Sequence, residues 1–230
     1  MCDRIVTLNL DGVPVSAELL MEVGSLTHLT CLWIRGTSVS EEGMMYLKHL
    51  VKLENINFSN TDLSDTALEN CGVQQMRRLR LVRIANTRVT DAGIGEIGRV
   101  ESIVELDLGG TDVTDSGLRN LAALKHIRSL GLSNTRITDT GLVFVGDLPE
   151  IESVTLRETN VSDKGLGIVA GRMRTLKSLS LSGTAVSDAG IEDLSKLKHL
   201  EFLFVEGTRI TPVGVNRIRE ALPNVVVFSD

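Results

Sequence analysis

Threonine returns along this chain at Thr37, Thr61, Thr87, Thr111, Thr135, Thr159, Thr184 and Thr208, at intervals of 24, 26, 24, 24, 24, 25 and 24 residues. Each Thr opens one phrase, Thr-x-(Val/Ile/Leu)-(Ser/Thr)-(Asp/Glu)-x-Gly-(Leu/Ile), seen most clearly from Thr111 to Leu118. A fixed period of this size belongs to a stack of small identical coils, each burying its apolar face only against its neighbours. The register runs without a linker from about Ile5 to the C-terminus. It predicts one repeat domain over residues 1–230, of about nine coils.

The coil from Thr111 to Asn134 shows how each unit is built. Its apolar residues fall at Val113, Leu118, Leu121, Leu124, Ile127, Leu130 and Leu132. Steps of three from Leu118 to Leu124 fit one face of a short helix. The step of two from Leu130 to Leu132 is strand alternation, with Ser129, Gly131 and Ser133 on the opposite side. Two coils are longer, by two residues before Met76 and by one before Met173. Both insertions fall where the helix ends.

The helix start carries its own signature. A Ser or Thr stands three residues after every ladder threonine (Ser40, Ser64, Thr90, Thr114, Thr138, Ser162, Ser187, Thr211). Its hydroxyl can cap free helix N–H groups. An acid follows in seven of the eight phrases, which places negative charge at the positive end of the helix dipole. In the eighth, Pro212 suits the first helical position. Gly then recurs in all but one phrase, Ala67 being the exception. Gly costs about 1 kcal/mol against Ala inside a helix, so its repetition predicts a close approach between coils.

Apolar residues make up 42% of the chain but aromatics only 3%, so the core is aliphatic. The net charge of −6 argues against general nucleic-acid or anionic-membrane binding, which needs a basic surface. One cluster runs the other way: Arg77, Arg78, Arg80, Arg83 and Arg88, read here as solvated charges on one turn and strand. Three cysteines without paired spacing are no disulfide framework and fit a reducing, cytoplasmic setting. No apolar run reaches the ~18 residues of a membrane span, and no charged-then-apolar leader precedes Ile5.

The strand segments read Leu-x-x-Leu-x-Leu-x-x-Thr, as in Ile103, Leu106, Leu108, Thr111 or Leu176, Leu179, Leu181, Thr184. In this the chain resembles the leucine-rich repeat family, and within it a 24-residue Thr-x-Val-(Ser/Thr)-Asp-x-Gly-Leu subclass found in bacterial and protist proteins. That family usually places Asn or Cys where this chain has Thr. The resemblance covers roughly residues 5–230. It implies an α/β fold, a right-handed horseshoe solenoid with a parallel β-sheet on the concave face and short α-helices on the convex face. It implies a protein-binding scaffold and carries over no catalytic residue. Residues 5–13 are expected to add a first strand with Val13 in the ladder slot. The segment Leu222–Phe228 is expected to add a last one.

Solenoids bind mostly through their concave face. Register places Trp33, Arg35, Leu81 and Arg83 there as an N-terminal contact zone, and Phe202 and Phe204 as a C-terminal one. Trp and Arg are enriched among interface hot spots. Between them lies a floor of Ser and Gly, with Glu105 and Asp107 as a partner-facing acidic spot. Those two acids lie ~7 Å apart on one strand face, but neither a cleft nor a partner base for catalysis is legible. The expected partner is a protein. The chain is read as non-catalytic, with no cofactor and no metal: His28, His126 and His199 occupy equivalent positions of different coils, too far apart to share an ion. The run Gly93–Gly98 matches a dinucleotide-binding pattern, but falls in helix slots. Cys71 takes a core slot, and Cys31 a concave one where it could react. Because Met1–Arg4 lead straight into the first strand, the alternative expectation is a fragment of a longer protein or a structural subunit of a larger assembly that contacts neighbours through its ends or convex helices, self-association through an uncapped N-terminal end included.

Overall fold

The computed structural model describes residues 5–230. Met1–Arg4, and with them the lead into the first strand, lie outside the described residues. Ten three-residue strands form one parallel sheet in strict sequence order: β1 Thr7–Asn9, β2 Cys31–Trp33, β3 Asn55–Asn57, β4 Leu81–Arg83, β5 Glu105–Asp107, β6 Ser129–Gly131, β7 Ser153–Thr155, β8 Ser178–Ser180, β9 Phe202–Phe204 and β10 Val226–Phe228. On the other layer lie α1 Ala17–Gly24, α2 Asp65–Asn70, α3 Asp91–Ile97, α4 Asp115–Leu118, α5 Leu142–Gly146, α6 Asp163–Arg172, α7 Ile191–Leu194 and α8 Pro212–Ala221. Several outer segments are 3₁₀ rather than α, such as Gly43–His49 and Arg119–Ala123. Parallel strands stack ~4.8 Å apart, whereas helices pack at about 8–10 Å. The helical side is therefore the longer arc, and the strand side is concave.

Register is invariant. Leu32, Ile56, Val82, Leu106, Leu130, Val154, Leu179 and Leu203 pair in sequence along the inward row. They join one continuous aliphatic core with Leu118, Ile94, Leu166 and their equivalents from the outer layer. The two insertions are absorbed where the outer segment ends. One becomes a left-handed Gly72 and a 3₁₀ turn, Val73–Gln75. The other lengthens α6 to ten residues.

Each ladder Thr is spent on its own coil. The Thr111 hydroxyl donates to the Leu108 carbonyl at 2.6 Å, and Thr61, Thr87, Thr135, Thr159 and Thr184 repeat the bond, all buried. The residue before it turns the chain from strand to outer layer with positive φ: Gly12, Gly36, Asn60, Asn86, Gly110, Asn134, Glu158, Gly183 and Gly207. Gly and Asn suit this region best; Glu158, at φ 55°, does not.

Ser64, Thr90, Thr114, Ser162, Ser187 and Thr211 are N-caps as expected, and Ser16 caps α1, a start without a ladder Thr because Val13 stands in that slot. Ser40 and Thr138 accept from the Gly43 and Thr140 N–H groups but are not the N-caps of their outer segments. The acids do more than face their own helix dipole. Asp91 Oδ1 accepts from the Thr114 N–H of the next coil at 2.8 Å, and Oδ2 from the Thr114 hydroxyl at 2.6 Å. Asp65, Asp115, Asp139, Asp163 and Asp188 repeat this pair of bonds on the next cap. This ladder explains Gly93, Gly117, Gly141, Gly165, Gly190 and Gly214, whereas Gly43 is required by the approach of Ala17 Cα, 2.8 Å from where its Cβ would lie. A Cβ on Gly93 would lie 2.5 Å from Asp65 Oδ1, and one on Gly165 2.5 Å from Asp139 Oδ1. Ala67 follows the one coil whose acid is the longer Glu41, which bonds only the Ser64 hydroxyl, and there the Cβ is tolerated.

Candidate functional site

The concave face presents two rows of side chains flanking the buried one. Trp33 pairs in register with Asn57, Asn57 with Arg83, and Arg83 with Asp107. Trp33 and Arg83 are thus two strands apart, ~10 Å. Leu81 stands beside Glu105 in the other row. Arg83 and Leu81 therefore group with Glu105 and Asp107 as closely as with Trp33. Arg83, Glu105 and Asp107, without Leu81, line a shallow hollow of about 420 Å³ floored by Gly109, Ser129 and Gly131. No cleft was legible in the sequence because the hollow arises from short side chains on adjacent coils. A Cβ on Gly131 would lie 2.5 Å from Asp107 Oδ1. Asp107 is partly engaged, since its Oδ1 accepts from the Gly109 N–H at 3.1 Å.

Arg35 is not a free cation. Its Nε lies 3.6 Å from Asp11 Oδ2, and its backbone N–H donates to the same carboxylate. Trp33 is 39% exposed and Phe202 42%, whereas Phe204 is half-buried because its ring stacks on Phe228, centroids 4.4 Å apart and planes 5° from parallel. The sequence reading missed Phe228. The signal was there: Phe228 stands in register with Phe204 and Val226 with Phe202, but the last strand has no ladder Thr to fix its register. The C-terminal zone is thus four apolar residues on β9 and β10. Beside it, Phe204 and Glu206 border a second hollow of about 430 Å³ with Arg157 and Glu158.

Cys31 differs from the reactive residue expected on this face. It is 8% exposed, and burial raises its thiol above the usual range against a hydrogen bond near Trp33 that lowers it. Cys71 is wholly buried and its thiol is pushed up to about 12 by desolvation. The Gly93–Gly98 run lies in α3 and its cap. The arginine cluster is dispersed: Arg83 on the concave face, Arg88 beside the bridge to Ser64, and Arg77, Arg78 and Arg80 on the turn leading into β4.

Residues 101–122, 123–146 and 172–195 match the family model described as Leucine Rich repeat. Three of its coils are thus leucine-rich repeats by sequence, and ten parallel strands alternating with short helices carry the leucine-rich repeat solenoid fold through the described residues. Among solved structures it is similar to an internalin (inlF) from Listeria monocytogenes, with a TM-score of 0.66 and 16% identity over 97% of this chain and 80% of that one. At that identity the likeness is one of fold. No curated protein matches the sequence. No helix among the described residues is long and apolar enough to cross a membrane.

Proposed function

We propose that this chain is a non-catalytic protein-interaction scaffold, working as one solenoid over residues 1–230, and that its concave strand face holds the partner. The residues assigned to contact are Trp33, Arg35, Leu81, Arg83, Glu105, Asp107, Phe202 and Phe204, with Val226 and Phe228 extending the last group. One observation carries the reading. Every exposed large hydrophobic among the described residues lies in residues 5–51 or 202–228, none on the coils between. Trp33 at one end, and Phe202, Val226 and Phe228 at the other, are the concave members of those two groups. Between them β3 to β5 present Asn, Leu, Arg and acids, and β6 to β8 only Ser, Gly and Thr. Rigid aromatic anchors at either end of a low, polar floor suit a partner lying across the sheet. The cytoplasmic assignment rests on the unpaired cysteines.

The same distribution favours a second reading. Ile5, Val6, Val13, Met21, Met45, Tyr46 and Val51 are exposed off the concave face, as contact with a neighbouring subunit or self-association through the N-terminal coils requires. Affinity capture from the source cell's lysate, wild type against Trp33→Ala/Phe202→Ala, separates the two. A partner lost from the variant supports the concave site. A partner retained by it, and lost from Met21→Ser/Met45→Ser, refutes the concave site and moves contact to the N-terminal coils.

A further inference from the structure

On the turn leading into each strand, the side chains form two columns. Arg80, Val104, Arg128 and Glu152 each immediately precede a strand; Arg78, Ser102, His126 and Glu150 each lie two residues earlier. Between β6 and β7 these columns are charge-matched. Glu150 accepts from Arg128 Nε at 3.3 Å and Nη2 at 3.1 Å, and its other oxygen meets His126 Nδ1 at 3.1 Å. Glu152 lies 3.8 Å from Arg128 and accepts from Lys177 at 2.9 Å. Hydrogen bonds from His126 and then Arg128 hold the Glu150 carboxyl below its usual range.

Two coils earlier the same arrangement lacks its acid. Arg78 and Arg80 stand where His126 and Arg128 stand, but the positions of Glu150 and Glu152 are filled by Ser102 and Val104. The Ser102 hydroxyl is occupied, donating to the Leu79 carbonyl at 2.7 Å. Short side chains leave a hollow of about 730 Å³ between the two arginines and His126. Among the described residues neither Arg78 nor Arg80 has an ion-pair partner within 4.0 Å, although Glu54 lines the same hollow. Both are exposed.

We propose that Arg78 and Arg80 form a carboxylate-binding site for an acidic segment of a partner protein. The occupant's chemistry is read from the protein's own Glu150-Ile151-Glu152. It is an extended segment with acids at alternate positions, ~7 Å apart, one carboxylate over Ser102 and the next over Val104. Guanidinium groups bind carboxylates through paired, charge-assisted hydrogen bonds. The overall charge of −6 disfavours acidic peptides on the surface at large, so the paired, unanswered guanidinium groups of this gap are the place for one. The site lies off the concave face and stands or falls independently of the function proposed above.

The test is fluorescence anisotropy with a labelled Glu-Ser-Glu-Ser-Glu peptide at low ionic strength, where screening is weak. The wild type is expected to bind it saturably and to ignore the Gln-Ser-Gln-Ser-Gln peptide. Arg78→Ala/Arg80→Ala is expected to weaken binding at least ~10-fold, the scale of a lost charged hydrogen bond. Ser102→Glu supplies the missing acid from within, and is expected to weaken binding to a similar degree while leaving both arginines and the circular dichroism spectrum in place. Trp33→Ala/Phe202→Ala is expected to bind the peptide as the wild type does. No binding by the wild type up to millimolar peptide overturns the proposal, as does equal binding by either site variant or of the Gln peptide. Inorganic phosphate that titrates the site while the acidic peptide does not overturns the assignment to a protein segment.

Discussion

Gly117 sets two physical rules against each other. By helix propensity alone, Gly117→Ala in α4 stabilises by about 1 kcal/mol. In this stack the new Cβ would overlap Asp91 Oδ1 and lie 3.0 Å from Asp91 Cγ. The carboxylate must then move, and it is not free to move: it holds the Thr114 N–H and hydroxyl of the next coil at 2.8 and 2.6 Å. Two hydrogen bonds to a charged acceptor contribute about 1.5 kcal/mol each at the lower end of their range. Losing both costs about 3 kcal/mol, and the propensity gain offsets about 1. Gly117→Ala is therefore expected to destabilise by about 2 kcal/mol and Asp91→Ala by about 3. The pair is not additive. Once Asp91 is Ala, the Gly117 Cβ has no carboxylate to displace, and Gly117→Ala regains its ordinary stabilisation. The double variant then lies about 2 kcal/mol below wild type instead of 5, a coupling of about 3 kcal/mol. Urea denaturation of the four proteins reads the cycle, and hydrogen exchange at the Thr114 amide reports the same loss locally. Stabilisation by Gly117→Ala in the wild type, or equal destabilisation in both backgrounds, refutes the carboxylate ladder as the reason for the recurrent Gly.

Three further outcomes follow from single bonds or burials. Thr135→Val keeps the shape of a buried side chain but strips the Leu132 carbonyl of its 2.6 Å hydroxyl donor, and a loss of about 1–2 kcal/mol is expected by urea denaturation. The Asp188 carboxyl is held below its ordinary 3.8 by hydrogen bonds from the Thr211 hydroxyl and then its backbone N–H. A depressed folded value contributes stability that is present above 3.8 and is lost as pH falls through the lowered value. Asp188→Asn is thus expected to flatten the acid limb of the stability curve below about pH 4 and leave its slope at neutral pH unchanged. The Cys71 thiol, buried and raised to about 12, is expected to resist a disulfide reagent in the native state at neutral pH and to react at the unfolding rate. Reaction faster than global unfolding refutes that burial.

The stack itself was legible because its determinants recur. One coil read correctly predicts the others, and Leu106, Leu130 and Val154 need no separate argument. What escaped was what joins one coil to the next. Asp91 read alone is a helix-dipole residue; only the stack shows it bonded to Thr114, 23 positions on. The Gly slot carried that information as an unexplained cost, which is why its reason was expected but not its chemistry. The turn with positive φ was hidden differently. Gly, Asn and Glu158 share the slot, so no single letter marks it. Phe228 and Ser16 were missed where a strand or helix start lacks its ladder Thr.

The same reasoning says where function is readable in such a chain. A residue that repeats in every coil is explained by stacking, whatever its chemistry. A residue that breaks its column has no such explanation, because neighbours show what the fold alone requires there. Trp33 shares a row with Gly131, Thr155 and Ser180, so the strand does not need an aromatic ring there; Phe204, in the same row, has its own stacking partner in Phe228. Ser102 shares a column with Glu150, whose carboxylate answers a guanidinium one coil back, and it leaves Arg80 unanswered. An aromatic where the fold asks for a small residue, and a missing acid where the fold tolerates one, are both departures that stacking does not reward. The first supports the apolar contact proposed at Trp33, and the second the charged one proposed at Arg78 and Arg80. They lie on different faces, the concave sheet and the turns leading into it. A single partner can reach both only by wrapping over the edge between them, which makes the Arg78 and Arg80 site separable from the concave one by substitution.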